Sequence, residues 1–88
     1  MPIKVTYNDN TIVNYYNFNE IINNINVLKI DCSYNNLTSL PPNMNFPNLI
    51  HFNCRHNKLY YIPPHINCYI KKDAKTKSPE YMRRKLLI

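Results

Sequence analysis

Glycine and tryptophan are absent from the 88 residues. Without glycine, neither a Walker-type phosphate loop nor a dinucleotide-binding fingerprint can be written, because both need glycine where the backbone approaches phosphate. Charge is also scarce. Charged residues make up 18% of the chain and acids number five, against roughly 25% charged in ordinary globular domains. No carboxylate pair stands out, so general acid–base chemistry has no obvious seat. No apolar run approaches the roughly 18 residues a membrane span needs. The first ten residues alternate polar and apolar side chains and carry no signal-type apolar core. Cysteine is present in an odd number, three, which suits a reducing compartment better than a disulfide framework. A cytoplasmic, intracellular location is therefore expected.

Asparagine takes the place of the missing charge, with sixteen copies beside eleven isoleucines and eight tyrosines. The charge that exists is unevenly distributed. Residues 1–70 hold four cations (Lys4, Lys29, Arg55, Lys58) and three acids (Asp9, Glu20, Asp31), a balance of +1. Residues 71–88 hold seven cations and two acids (Asp73, Glu80), a balance of +5. A nearly neutral body thus carries a basic tail, and only the tail bears on polyanions.

The chain repeats itself at an offset of 22 residues: Val27, Ile30, Cys32, Asn35, Leu37 and Leu40 recur as Leu49, Phe52, Cys54, Asn57, Leu59 and Ile62. Pro41-Pro42 recurs as Pro63-Pro64. Each unit reads apolar-x-x-apolar-x-Cys-x-x-Asn-x-Leu-x-x-apolar-Pro-Pro. Alternation around Ile30/Cys32 and Phe52/Cys54 marks two short strands with one face buried. Asn35 and Asn57 follow the strands, where a side-chain amide can satisfy backbone groups that a turning chain leaves unpaired. Leu37 and Leu59 then return inward, and the proline pairs bar a continuous helix. A unit of this kind cannot bury its inner face alone, so the two are expected to stack as a parallel strand pair over a shared core.

VLKIDCSYNNLTSLPP and LIHFNCRHNKLYYIPP resemble the repeat unit of leucine-rich repeat proteins. The Asn-rich style is similar to repeat proteins of large DNA viruses of amoebae, which would place the chain inside a host cell. The resemblance implies an α+β repeat solenoid: a short stack of two 22-residue repeats, residues 27–48 and 49–70, closed by caps. For the first cap, Ile3–Tyr7 and Thr11–Tyr15 alternate around Asn8-Asp9-Asn10 as a β-hairpin. Phe18, Ile21, Ile22 and Ile25 recur at helical spacing, predicting a short helix over 18–25 and a cap over 1–26. For the second, Ser78-Pro79-Glu80 reads as a helix start, predicting a helix over 79–87 within a basic 71–88 segment. No third strand is expected, because Lys71, Ala74, Thr76 and Pro79 at the next offset cannot form a buried one.

Cys32 and Cys54 fall at the same inward position of adjacent strands and read as reduced core thiols, since a disulfide would distort the strand pair. Cys54, His56, His65 and Cys68 supply a zinc-like inventory, but they do not converge in this geometry, so no metal, cofactor or catalytic group is expected. The resemblance implies binding on the outward strand face. Position by position this gives Lys29, Asp31, Ser33 and Tyr34 in the first repeat, and His51, Asn53, Arg55 and His56 in the second. Tyr34 and Arg55 are the expected anchors. The sequence thus predicts a non-enzymatic protein-interaction module with no membrane partner, its oligomeric state left open. The rival reading is a basic nucleic-acid-associated protein acting through Lys71, Lys72, Lys75, Lys77, Arg83, Arg84 and Lys85, with Tyr69 and Tyr81 to stack on bases.

Overall fold

The structure, a computed structural model, describes residues 1–21, 25–64 and 66–78. Strand β1 (Ile3–Tyr7) turns through Asn8-Asp9-Asn10 into antiparallel β2 (Ile12–Tyr15). Asp9 ties the turn by accepting the Thr11 amide at 3.0 Å and its hydroxyl at 2.6 Å. Asn10 lies in the left-handed region at φ 69°. With no glycine available, asparagine fills such positions here and at Asn36, its short polar side chain being the best-tolerated alternative.

Strand β3 (Val27–Asp31) runs antiparallel to β1, with a bulge after Thr6. From β3 onward the sheet becomes parallel. Strand β4 (His51–Asn53) pairs Lys29 with His51, Ile30 with Phe52 and Asp31 with Asn53. Each pair differs by 22, so the sequence duplication corresponds to one lap of the chain. Strand β5 (Tyr69–Lys71) pairs Phe52 with Ile70 and completes the order β2-β1-β3-β4-β5.

This architecture corrects the expected α+β solenoid with helical caps. The chain forms a small mixed five-stranded sheet, and its described residues hold no α-helix. The hairpin extends the sheet edge to edge rather than sitting on it. Among the described residues of the 18–25 segment, Phe18–Glu20 makes a 3-10 turn rather than an α-helix, and Ile21 is already extended at φ −85°, ψ 94°. Residues 22–24 lie outside the described residues. The cause is local. A stretch of Asn and β-branched Ile is poor in helix formers, and a segment this short cannot repay nucleation. Glu20 Oε1 accepts the Tyr16 and Asn17 amides, each at 3.1 Å, and holds the turn as it is. The helix expected over 79–87 lies outside the described residues.

The third strand is the element that a fixed period conceals. β5 follows β4 after 18 residues (His51 to Tyr69) rather than 22. After Cys68 the chain enters β5 directly, whereas after the equivalent Phe46 it first passes through Pro47-Asn48-Leu49-Ile50. Residues 71–77 are accordingly more than a polar link. Lys71 belongs to β5, Thr76 is 2% exposed, and its hydroxyl donates to the Leu59 carbonyl at 3.0 Å. The Ile62 amide donates to Lys77 and the Lys77 amide to Tyr60, at 2.9 and 2.8 Å, closing a second short ladder behind the sheet.

The core lies between the inner sheet face and the returning segments. Val5, Ile30, Phe52 and the two thiols Cys32 and Cys54 are essentially fully buried, under Leu40, Met44, Leu59, Ile62 and Ile66. Ile21 joins the same buried cluster. No helix among the described residues is long and apolar enough to cross a membrane.

Candidate binding face

Strand alternation sends Ile30 and Phe52 inward, and register fixes what stands on the opposite face. Two rows cross the sheet: Thr6, Lys29, His51 and Tyr69 in one, Lys4, Asp31, Asn53 and Lys71 in the other. The structure therefore brings Lys29, Asp31, His51 and Asn53 together and adds Lys4, Tyr69 and Lys71, which the motif did not point to. His51 and Tyr69 stack with ring centroids 5.2 Å apart.

The other four expected residues, Ser33, Tyr34, Arg55 and His56, sit on the turns that end β3 and β4. Those turns are built alike. Asp31 Oδ1 accepts the Ser33 amide at 3.0 Å and hydroxyl at 2.6 Å, while Asn53 Oδ1 accepts the Arg55 amide at 3.2 Å. Asp31, Ser33 and Asn53 thus hold their own backbone as well as facing outward, an Asx-turn device. Next in line, Tyr34 and His56 adopt φ of 58° and 59°, uncommon for ring side chains. The shared conformation puts their rings in register, stacked at 4.2 Å and 13°. Tyr34 and Tyr69 remain 57% and 63% exposed. Lys4, Lys29, Arg55 and Lys71 give the face four cations against two acids, Asp31 and, beside Arg55, Asp73, each engaged by turn amides.

Asn57 holds this surface from below. Its Nδ2 donates to the carbonyls of Cys32 and Cys54, both at 3.0 Å, and of Arg55 at 3.2 Å. Its Oδ1 accepts the amides of Asn35 and Leu37 at 3.0 and 2.9 Å. Asn35 makes the smaller set, donating to the carbonyls of Cys32 and Ser33. One lap further, Asp73 plays the acceptor part, taking the His56 amide at 2.9 Å and the Asn57 amide at 3.2 Å. The amide hydrogen bond from His56, then that from Asn57 and the nearby cations, hold the Asp73 carboxyl below its ordinary range. Sequence comparison misses Asp73 because it stands 16 residues after Asn57, on the shortened lap.

The cysteines are free and turned away from this face. Cys32 Sγ donates to Asn53 O and Cys54 Sγ to Lys71 O, each at 3.4 Å. Burial pushes both thiols up, Cys54 to about 11, which leaves no thiolate for nucleophilic chemistry near neutral pH. Among the described residues no three His, Cys, Asp or Glu side chains are grouped to hold a metal. Of the zinc-like inventory, His65 lies outside the described residues. A cleft of about 460 Å³ opens beside the hairpin between Tyr7, Asp9, Tyr15 and Glu20. There Asp9 and Glu20 are engaged by backbone amides and the two tyrosine hydroxyls bond each other at 2.5 Å.

Compared with known proteins, the chain matches no family model, no curated protein and no solved structure.

Proposed function

We propose that this chain is a non-enzymatic, intracellular interaction module that binds an acidic surface of a partner protein through its outward strand face. The observation that carries the reading is the composition of that face. Two register-locked rows and their turns present Lys4, Lys29, Arg55 and Lys71 beside two exposed aromatic stacks, with two acids, Asp31 and Asp73, already engaged by turn amides. Arg and Tyr are the side chains that dominate interface energies, and Tyr34 and Arg55 are the anchors. The motif resemblance to leucine-rich repeat proteins supports the same face, since that family binds partners there. Five strands span only about 19 Å at about 4.8 Å spacing, so one face is smaller than the roughly 800 Å² per partner of a standard interface.

The rival, nucleic-acid association through residues 71–88, is favoured by one observation: Tyr69 and Lys71 stand on the same face as His51 and Lys29. Affinity capture from the native host, followed by titration of the captured protein, tests the first reading. Tyr34→Ala or Arg55→Ala should weaken binding about tenfold or more, and moderate salt should leave it measurable. A fluorescent single-stranded oligonucleotide tests the second. Tail-driven binding would fall steeply with salt and disappear on charge reversal at Lys72 and Lys75. Lys71 is unsuitable for that comparison because it belongs to the strand face. Oligonucleotide binding that needs Lys72 and Lys75 but neither Tyr34 nor Arg55 would refute the protein-binding reading.

A further inference from the structure

The outer edge of β2 is an open antiparallel template. The Tyr7 amide donates to the Thr11 carbonyl at 2.9 Å, extending the Ile3–Tyr15, Val5–Val13 register by one pair. Hydrogen-bonded and open pairs alternate in an antiparallel ladder. Val13 and Tyr15 therefore spend their backbone groups on β1, and the N–H and C=O of Ile12 and Asn14 point away from the sheet. Tyr16 obeys the same alternation: its amide points outward and is taken by Glu20. Nothing among the described residues takes the amides of Ile12 and Asn14.

Ordinary edges carry protection, such as a lysine, a proline, a bulge or an inward charge. Residues 11–17, TIVNYYN, carry no charge and no proline. Ile12 is 59% exposed and Val13 38%.

We propose that β2 pairs with β2 of a second copy of this chain, antiparallel about a two-fold axis at Val13, joining the two sheets into one. Identical strands meeting about a two-fold are self-complementary. This register satisfies both outward residues at once, because Ile12 of each copy pairs with Asn14 of the other. Val13 meets its counterpart as the close, non-hydrogen-bonded pair. The inner apolar row Ile70, Phe52, Ile30, Val5, Val13 then runs unbroken from one copy into the next. The segment itself carries no charge, so no like charges meet along the paired edge. A different protein is the weaker occupant, since the edge offers only generic backbone groups and one short apolar row. Pairing within a sheet keeps both outward faces on one side, so the dimer doubles the binding surface that a single copy lacks. The contact area is small, and the dimer is weak and concentration-dependent.

Sedimentation velocity on the isolated chain, from about 10 μM to about 1 mM, should show the mass rising from one chain toward two. Over the same range the Ile12 and Asn14 amides should gain exchange protection. Asn14→Pro removes an outward N–H without touching the β1–β2 ladder, and should weaken the dimer about tenfold or more with the circular dichroism unchanged. Ile12→Lys should weaken it through charge on an exposed side chain, and carries the test if the proline variant misfolds. Tyr34→Ala and Arg55→Ala should leave it intact, which separates this outcome from failure of the proposed partner binding. One-chain mass throughout overturns the proposal. So does a dimer indifferent to both edge variants, or protection of these amides only by an added host-protein peptide.

Discussion

Replacing Asn57 with alanine tests the framework beneath the strand face. Five hydrogen bonds are lost, but not five partners. The Cys32 carbonyl keeps the Asn35 amide group, and the Arg55 carbonyl keeps the Tyr34 backbone amide. Three groups are left without a partner: the amides of Asn35 and Leu37 and the carbonyl of Cys54. Stranding a buried polar group costs about 1–3 kcal/mol. Asn35 and Leu37 are only half-buried, so the lower end applies and the sum is about 3 kcal/mol. A domain of this size is held by roughly 4–13 kcal/mol, and the melting temperature should fall by about 12–24 °C. Asn35→Ala strands only the Ser33 carbonyl and should cost about 1 kcal/mol. Asn43→Ala, at an exposed turn, should stay within about 0.5 kcal/mol. Urea titration followed by circular dichroism, with unchanged slope, reads all three. Equal midpoints for the Asn57 and Asn43 variants would refute the reasoning.

Other outcomes follow from the same geometry. Thr76→Val keeps the shape but strands the Leu59 carbonyl, and should cost about 1–2 kcal/mol in the same titration; a neutral result would remove Thr76 from the closure of the last lap. Native alkylation followed by mass spectrometry should label half-buried Cys68 first, and Cys32 and Cys54 only as fast as the chain unfolds. Rapid modification of Cys32 would contradict its placement behind the sheet. Because Asp73 titrates below its unfolded value, its contribution is complete above the ordinary carboxylate range. It is lost as pH falls through that range to the folded value. Asp73→Asn should therefore flatten the acid limb of a stability-versus-pH curve, and an unchanged limb would deny Asp73 its role.

The hairpin and the first parallel pair were legible because both are written in alternation, and the 22-residue offset set the β3–β4 register directly. The last lap was not, since loss of the Pro47–Ile50 turn shifts Tyr69-Ile70-Lys71 out of period while preserving the pattern of His51-Phe52-Asn53. Searching for that three-residue pattern at a shorter offset would have found β5, and with it Tyr69 and Lys71 on the face. The 18–25 helix was misread because the spacing of Phe18, Ile21, Ile22 and Ile25 outweighed the poor helix propensity of their Asn and Ile neighbours. No sequence signal pointed to the left-handed turns at Tyr34 and His56, where glycine or asparagine would be the usual mark. Yet those turns make the Tyr34–His56 stack. Asn57 was expected to brace its own turn; its reach back to Asn35 and Leu37 emerges only once the laps are stacked.

Through-hydrogen-bond scalar couplings in the isotope-labelled chain test most directly whether the laps stack as described. Correlations should link the Cys32 amide to the Asn53 carbonyl and the Cys54 amide to the Lys71 carbonyl, across N–O distances of 2.8 Å each. Seeing both would establish the parallel β3–β4–β5 register and, with it, the two outward rows. Fast-exchanging Cys32 and Cys54 amides with neither coupling would contradict the sheet and remove the binding face built on it.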